Sequence, residues 1–204
     1  RFLPNVIVAN TLKLVPNSKV NVSREELAKM VAQGTKRLGE LQHDDGGWGW
    51  WENDKTHPFM TAYVVNGLWE AARAGYEIDE QLLSKAEESL KSQVVAVKGD
   101  KTTRAYMNMV AAKMGLGDFK KPKTFDAKNK DPYELSLWAQ AAHHAGYPVL
   151  AKSYLTDLLE TKQSDGGLAH WGGKKFYYSW QEDKVETTAS VVQAMLLINK
   201  DIPE

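Results

Sequence analysis

The chain has 204 residues, of which 43% are hydrophobic, with 26 basic and 26 acidic side chains, five histidines and no cysteine. This content is enough to bury the core of one domain, and the balanced charge argues against a general nucleic-acid or acidic-lipid surface, which would need a basic excess. Without cysteine, disulfides, thiolate nucleophiles and cysteine zinc sites are excluded within these residues, and no apolar run predicts a membrane span.

The first predicted helix runs from Phe2 to Leu14 and is mostly apolar, and a turn at Pro16-Asn17-Ser18 follows it. Ser23-Arg24-Glu25-Glu26 has the form of a capping box and predicts the start of an amphipathic helix. The apolar residues of this helix form one stripe, so the helix should lie on the outside of the fold. The stripe contains Leu27, Met30, Val31, Gly34, Leu38 and Leu41.

The next helices continue an alternation between amphipathic and apolar segments. Residues His57 to Gly75 leave almost no polar face, which predicts a helix surrounded by protein, with Pro58 at its first position. Asp79 can cap a second amphipathic helix that ends near Val95. Thr102 to Met114 is again apolar on most sides and predicts another inner helix.

The alternation is interrupted once and then resumes. Gly117 to Lys130 is rich in lysine and contains a proline, so we interpret it as a loop with at most a short helix. Asp131-Pro132-Tyr133-Glu134 predicts the start of an inner helix, because it supplies a cap, a first-position proline and an acid. Pro148 to Lys162 is amphipathic and Lys184 to Asn199 is apolar. Strand-like character is confined to Phe176 to Trp180.

A short phrase containing Asp-Gly-Gly occurs twice, each time between an amphipathic helix and an apolar one. We call residues 42–57 the first corner and residues 162–172 the second corner. Self-similarity of this kind is typical of a repeat architecture. The glycines would supply backbone conformations closed to other residues, and the tryptophan rings would fill the end of the fold. The predicted corner residues are Gln42, Asp45, Gly46, Gly47 and Trp48 in the first copy and Asp165, Gly166, Gly167 and Trp171 in the second.

Amphipathic helices that alternate with apolar ones predict an all-α fold over residues 1–204. In an α/α toroid the apolar helices form an inner ring and contact only other helices, and this is the architecture that we predict. A superhelical solenoid of the HEAT type is the alternative. The inner helices are too uniformly apolar to suit its open concave surface.

Three short segments carry a resemblance to a known family. Residues 1–10, Arg-Phe-Leu-Pro-Asn-Val-Ile-Val-Ala-Asn, resemble the segment that follows the Cys-x-Glu-Gln thioester motif of alpha-2-macroglobulin-like proteins, particularly the bacterial members. Thr61-Ala62-Tyr63-Val64 is similar to the Thr-Ala-Phe-Val helix of that family, and Val185-Glu186-Thr187-Thr188-Ala189 to its Val-Glu-x-Thr-Ser helix. The resemblance is to the thioester domain, an α/α toroid shared with complement proteins, here as a fragment that is incomplete at both ends.

This resemblance implies part of a protease trap, in which cleavage of a bait region elsewhere exposes a thioester that acylates a nucleophile. The Cys and Gln of the motif are not in this sequence, so the domain would house and shield the thioester without being an enzyme. Target proteases and other domains of the same parent chain are the expected partners. No cofactor, metal, nucleic acid or membrane span is expected, and the implied location is extracytoplasmic: periplasm, cell envelope or secreted.

An enzyme is the alternative function, because the segment Gln42 to Trp48 also resembles the Gln/Trp motifs of terpene cyclases and protein prenyltransferases. In those proteins the motif is structural and ties the end of an outer helix to the next inner helix. Catalysis would need converging acids or a metal set, whereas Asp44-Asp45 sits at a turn. His143-His144 point about 100° apart on a helix, and His43 and His170 show no zinc-ligand spacing. An interaction scaffold using the Trp loops is a third hypothesis.

Two further residues have alternative interpretations. The resemblance makes His57 a candidate for acyl transfer from the thioester to hydroxyls, while a helix-start histidine beside Pro58 is the plainer interpretation. Glu186 begins an apolar helix, and we expect it at a solvated N-terminus, where the helix dipole favours a carboxylate. An apolar seam is expected, and it would favour association or partial disorder at Arg1–Leu14 and Lys184–Glu204.

Overall fold

The computed structural model describes residues 2–14, 23–97, 100–116, 131–172 and 184–199. These residues form eight helices and one two-stranded hairpin. They fall into two compact units, Arg1–Val97 and Lys98–Glu204. The predicted turn at Pro16-Asn17-Ser18, the predicted loop at 117–130 and the strand-like segment at 176–180 lie outside the described residues.

The first unit contains four helices whose bounds agree closely with the predicted ones. They are α1 (Phe2–Leu14), α2 (Arg24–Glu40), α3 (Pro58–Arg73) and α4 (Glu80–Ala96). Helix α3 contacts the other three, and its buried residues occupy most of its circumference, so it is the centre of this unit. Those residues are Thr61, Ala62, Val64, Val65, Gly67, Leu68 and Ala71.

Helix α2 begins with the predicted capping box. The Ser23 hydroxyl accepts the Glu26 N–H at 3.1 Å, and the Glu26 carboxylate accepts the Ser23 N–H at 3.0 Å. The bond from the Ser23 backbone holds the pKa of Glu26 below its usual value. Leu27 and Val31 of the predicted stripe are buried, but Met30 is 45% exposed. The prediction for Met30 was wrong because the buried line runs through positions 27, 31 and 35, and Met30 lies at its edge.

The second unit contains four helices, three of which surround a buried central one. They are α5 (Lys101–Lys113), α6 (Pro132–His144), α7 (Pro148–Leu159) and α8 (Lys184–Ile198). Helix α6 contacts the other three, and every residue from 135 to 142 is buried. Asp131 accepts the Glu134 N–H at 3.0 Å, so the predicted cap of α6 is present.

A small polar layer joins α6 to α8 inside the second unit. The Ser136 hydroxyl donates to the Tyr133 carbonyl at 2.7 Å, so it accepts from Ser190, whose Oγ lies at 2.6 Å. Gln140 donates its amide to the Ser190 carbonyl at 3.3 Å. Since these polar groups are buried, their hydrogen bonds fix the register of α8 along α6.

Two inner helices end in the same way. Gly75 after α3 and Gly146 after α6 have φ of 85° and 80°. The next residue in each case, Tyr76 or Tyr147, donates its N–H to a carbonyl of the last turn at 3.1 or 2.9 Å. This is the Schellman arrangement, which glycine adopts without strain and which ends the helix there.

The second corner contains a hairpin that the sequence analysis did not predict. Strands β1 (Gln163–Asp165) and β2 (Leu168–His170) pair antiparallel, with Gln163 opposite His170. Gly166 and Gly167 form the two-residue turn between them, with φ of 57° and 83°. Asp-Gly-Gly is a recognised signal for such a turn. The hairpin was not predicted because the two copies of the motif were expected to fold alike.

Helix α8 leaves one apolar stripe exposed. Val185, Val192 and Leu196 are 84%, 42% and 66% exposed, and they share one face of the helix. The opposite face, with Thr187, Ser190, Val191 and Ala194, is buried. The exposed stripe places part of the expected apolar seam on α8.

We expect this stripe to cause self-association of the chain. Replacing both Val185 and Leu196 by lysine should weaken association about tenfold or more, since each buried aliphatic side chain contributes about 1.5–3 kcal/mol. Sedimentation velocity over a range of concentrations measures this. Val149→Lys, at an exposed valine of α7, is the control and should leave association unchanged. A wild-type chain that stays monomeric at every concentration would contradict the prediction.

Candidate functional site

Three hydrogen bonds made by the Trp48 indole and the Thr61 hydroxyl join the end of α2 to the start of α3. The indole Nε1–H donates to the Leu38 carbonyl at 2.9 Å. The Trp48 backbone N–H donates to Thr61 Oγ1 at 3.1 Å, and the Thr61 hydroxyl donates back to the Trp48 carbonyl at 3.3 Å. We call this set of bonds the Trp–Thr clasp. Because Trp48 and Thr61 are both buried, the clasp fixes the loop between two helices without help from water.

The second corner contains the same clasp. The Trp171 indole donates to the Leu158 carbonyl at 3.1 Å, near the end of α7. The Trp171 N–H donates to Thr188 Oγ1 at 3.0 Å, and the Thr188 hydroxyl donates to the Trp171 carbonyl at 3.2 Å. Each tryptophan therefore binds a threonine in the first turns of the following inner helix. This geometry supports a structural role for both corners.

The two corners differ in length. In the first, His43 donates its N–H to the Gly47 carbonyl at 2.9 Å. In the second, Gln163 faces His170 across the hairpin. Five positions separate His43 from Trp48, and eight separate Gln163 from Trp171. The hairpin tip is thus an insertion into an otherwise shared corner.

The glycine pairs consequently have different structural roles in the two corners. A Cβ on Gly46 would collide with the Lys85 carbonyl of α4, and one on Gly47 would collide with Thr56, Thr61 and Ser89. Gly166 and Gly167 have nothing within 4 Å of such a Cβ. The first pair lets α4 pack directly on the corner, whereas the second pair turns the hairpin.

Gln42 ties the first corner to an outer helix. Its amide donates to the Gly46 carbonyl at 3.0 Å and to the Leu82 carbonyl of α4 at 3.1 Å. The sequence comparison with Gln/Trp motifs implied a tie to the next inner helix. In this chain Trp48 makes that tie, and Gln42 connects to the outer helix that follows.

A buried polar group between α3 and α4 was missed by sequence reasoning. Gln93 donates its amide to Ser89 Oγ at 2.9 Å and, more weakly, to Thr61 Oγ1 at 3.4 Å. Ser89 is 4% exposed. The only sequence signal is a serine on the inward stripe of α4, and its role becomes clear once Gly47 is seen beneath it.

Asp45 acts as a turn former. Its Oδ1 accepts the Gly47 N–H at 3.0 Å and the Thr56 hydroxyl at 2.8 Å. Its neighbour Asp44 is exposed. Over the described part of the chain no three or more His, Asp or Glu side chains are grouped to hold a metal ion. The rings of His143 and His144 lie 5.8 Å apart and nearly perpendicular.

The outer part of the first corner exposes two tryptophans. Trp50 and Trp51 are 59% and 79% exposed, so the expectation that tryptophan rings fill the end of the fold fails for them. The Trp50 N–H donates to Asp54 Oδ2 at 2.9 Å. The Trp50 ring meets the ring of His57 edge-on, with centroids 5.6 Å apart.

His57 and Glu186 both lie at the starts of inner helices. His57 is the N-cap residue of α3, but its side chain makes no capping bond, and its Nδ1 is buried without a hydrogen-bond partner. Glu186 is exposed, as expected, and accepts the Tyr133 hydroxyl at 3.1 Å. Burial raises the pKa of Tyr133, and the Glu186 carboxylate raises it further, so this hydroxyl stays a donor at physiological pH.

The described residues form an all-α fold in which half-exposed helices and enclosed ones pack together, as in proteins of the α/α toroid class. Two solved structures share this fold. Trypsin-activated alpha-2-macroglobulin from Escherichia coli matches 99% of this chain and 14% of that one, with a TM-score of 0.66 and 18% identity. Native alpha-2-macroglobulin from the same organism, from domain MG7 to the C-terminus, matches 81% and 28%, with a TM-score of 0.59 and 18% identity.

Sequence comparisons match part of the chain to one family. The model described as A-macroglobulin TED domain matches residues 1–97. Alpha-2-macroglobulin of Thermotoga maritima is 34% identical over 91 residues, which are 45% of this chain and 5% of that protein. Thioester-containing protein 1 allele S3 of Anopheles gambiae is 27% identical over 93 residues, 46% of this chain and 7% of that protein. The resemblance predicted from the sequence, to the thioester domain of the alpha-2-macroglobulin family, is confirmed.

The two glycine pairs offer a matched test of the corner geometry. Gly47→Ala should destabilise the fold by about 3 kcal/mol, because its Cβ would collide with the half-buried Thr56 and with the buried Thr61 and Ser89. Gly167→Ala meets no neighbour and should cost about 1–2 kcal/mol, the penalty of a left-handed conformation alone. Urea unfolding followed by circular dichroism measures both. Equal effects would show that packing against α4 does not matter.

The clasp can be tested at its threonines. Thr61→Val keeps the shape but leaves the buried Trp48 N–H without an acceptor, which should cost about 2–3 kcal/mol. Thr188→Val should cost about 1 kcal/mol, since Thr188 is half-buried and water can replace its hydroxyl. Thr156→Val, at an exposed threonine whose hydroxyl bonds only within α7, is the comparison, and urea midpoints at neutral pH are the measurement. A Thr61 variant as stable as wild type would show that the clasp contributes nothing.

Proposed function

We propose that this chain is part of the thioester domain of an alpha-2-macroglobulin-like protease-trapping protein, and that it houses and shields the thioester. The match of residues 1–97 to the A-macroglobulin TED domain is the observation that carries this proposal. The chain spans 5% and 7% of the two curated relatives. Protease capture would accordingly be an activity of a longer polypeptide, to which this chain contributes one part.

The chemistry of a thioester explains what such a domain must provide. A thioester is hydrolysed by water, so it survives only where closed packing excludes solvent until the reaction is wanted. This chain has no cysteine, so the thiol would come from outside these residues. What it can supply is rigid, dry support: an enclosed α3, a largely buried α6, and loops fixed by buried clasps.

The expected partners follow from the same reasoning. The E. coli structure is described as trypsin-activated, which makes a protease the partner of that protein. By similarity we propose target proteases and other domains of the same parent as the partners of this chain. We propose an extracytoplasmic location, since a trap for foreign proteases acts where those proteases arrive. No helix within the described residues is long and apolar enough to cross a bilayer.

For His57 we propose a packing role at the start of α3. Its backbone N–H donates to the Trp48 carbonyl at 2.8 Å and its carbonyl accepts the Thr61 N–H at 2.9 Å. Its ring supports Trp50. These contacts support the plainer of the two sequence interpretations, in which the histidine belongs to the corner rather than to acyl transfer.

The enzyme alternative finds less support. A cyclase or prenyltransferase would need acids or metal ligands that converge on the ends of inner helices. In the first corner Asp45 is occupied by the turn and Asp44 is exposed. We therefore propose a non-enzymatic role.

The test uses the full-length parent protein and labelled methylamine. We expect little incorporation into the native protein and at least tenfold more after nicking with trypsin, because cleavage exposes the shielded thioester to nucleophiles. Mass spectrometry of the modified peptide measures incorporation and locates it.

Two controls sharpen this experiment. Parent protein already treated with methylamine should show no further incorporation after nicking. Thr61→Val in the parent should raise incorporation before nicking, since a loosened first corner admits water and amine. Absence of incorporation under all conditions would reject the thioester proposal.

A further inference from the structure

Two buried polar atoms in the first corner face each other without a hydrogen bond. They are His43 Nε2 and Asp54 Oδ1, which lie 4.0 Å apart. Both atoms are inaccessible to solvent and have no hydrogen-bond partner. Burying a polar atom without a hydrogen bond costs free energy, and a proton between these two atoms would supply such a bond.

The hydrogen bonds around His43 determine which of its nitrogens carries the proton. Thr56 donates its single hydroxyl proton to Asp45 Oδ1, which can only accept when ionised. Thr56 Oγ1 must therefore accept the bond that it shares with His43 Nδ1 at 2.8 Å. A neutral His43 carries its proton on Nδ1, so Nε2 presents a lone pair to the carboxylate oxygen of Asp54.

We propose that the first corner is a proton-operated lock: a proton bound at His43 Nε2 pairs the imidazolium with Asp54 and holds the Trp50–Trp51 loop in place. Two acceptors at this distance oppose each other, whereas a protonated Nε2–H donates to Asp54 Oδ1 after a small approach. The pairing is present while His43 is protonated and is lost as pH rises and the proton leaves.

The lock acts on the loop through Asp54. The other oxygen of this carboxylate accepts the Trp50 N–H at 2.9 Å. Gly49 lies so close beneath Asp54 that a Cβ there would collide with the carboxylate. Fixing Asp54 therefore fixes the backbone that carries both exposed tryptophans. Loss of the pairing frees the loop while the Trp48 clasp stays intact.

Charged side chains lie around His43 in the first corner. Asp45 reaches the imidazole through Thr56, and Asp54 faces it directly. From α4, the neighbouring charged residue is Lys85, whose backbone lies against Gly46 and whose side chain is exposed. Lys55 of the loop and Asp44 are exposed as well. Because these lysine side chains are exposed, solvent screens their charges.

Amide hydrogen exchange of Trp50, followed by NMR on the whole chain in EDTA, tests the lock. We expect the protection factor to be about tenfold higher near pH 5 than near pH 8, on either side of the range in which histidine usually changes charge. The amide of Trp48, held by the clasp, should show no such difference. Equal Trp50 protection at both pH values would overturn the proposal.

Three variants separate this mechanism from a general effect of acid. Asp54→Asn should reverse the profile, because the amide oxygen still accepts the Trp50 N–H while the amide nitrogen donates to a neutral His43. His43→Gln should abolish the pH dependence. His170→Gln, at the loop histidine of the second corner, should leave it unchanged.

Two results would contradict the assignment. An Asp54→Asn profile like that of wild type would mean that the carboxylate is not involved. Recovery of Trp50 protection near pH 8 on adding Zn²⁺ without EDTA, and its loss in His43→Gln, would show that a cation takes the place assigned to the proton.

Discussion

The bond between a tryptophan backbone and a threonine hydroxyl is the constraint on which both corners depend. In each corner the threonine accepts from the backbone N–H and donates to the carbonyl of the same residue, so it satisfies both peptide groups of a loop buried between helices. The indole then extends to the last carbonyls of the preceding helix. Loops normally lie on the surface because their backbone needs water. Here one side chain replaces that water, which lets the loop pack inside.

The two copies of the Asp-Gly-Gly motif adopt different structures because different elements pack against them. In the first, α4 lies against the loop, and glycine is required at position 47 because Ser89 and Thr61 occupy the space of a side chain. In the second, His170 stands directly before the tryptophan and a hairpin extends outward. A side chain directly before the tryptophan is compatible with the clasp. It would prevent a helix from packing against the loop as closely as α4 does in the first corner. Both corners contain the Trp–Thr clasp, but among the described residues only in the first does a helix pack against the loop.

The sequence predicted the features that depend on near neighbours in the chain. Helix starts at Ser23, Asp79 and Asp131 follow from caps, and the alternation of apolar and amphipathic helices gave the fold class. The sequence did not predict the hairpin, the exposure of Trp50 or the outward position of Met30. Each of these depends on which face of the segment is covered by another element of the fold. The position of Asp54 opposite His43 was not predicted either, since a loop brings together two residues eleven positions apart. Such details need coordinates rather than patterns.

The proposed shielding role and the exposed loop fit one physical scheme. A domain that keeps a reactive bond dry needs an interior that does not open, and the buried clasp supplies this at the helix junctions. It also needs a surface that can change without disturbing that interior. The Trp50–Trp51 loop suits this, because its anchor at Asp54 is distinct from the clasp at Trp48. A local opening of low free energy can thus occur beside a core that remains closed. The separation of these two anchors by a few residues allows a partner or a proton to act on the loop while the support of the inner helices persists.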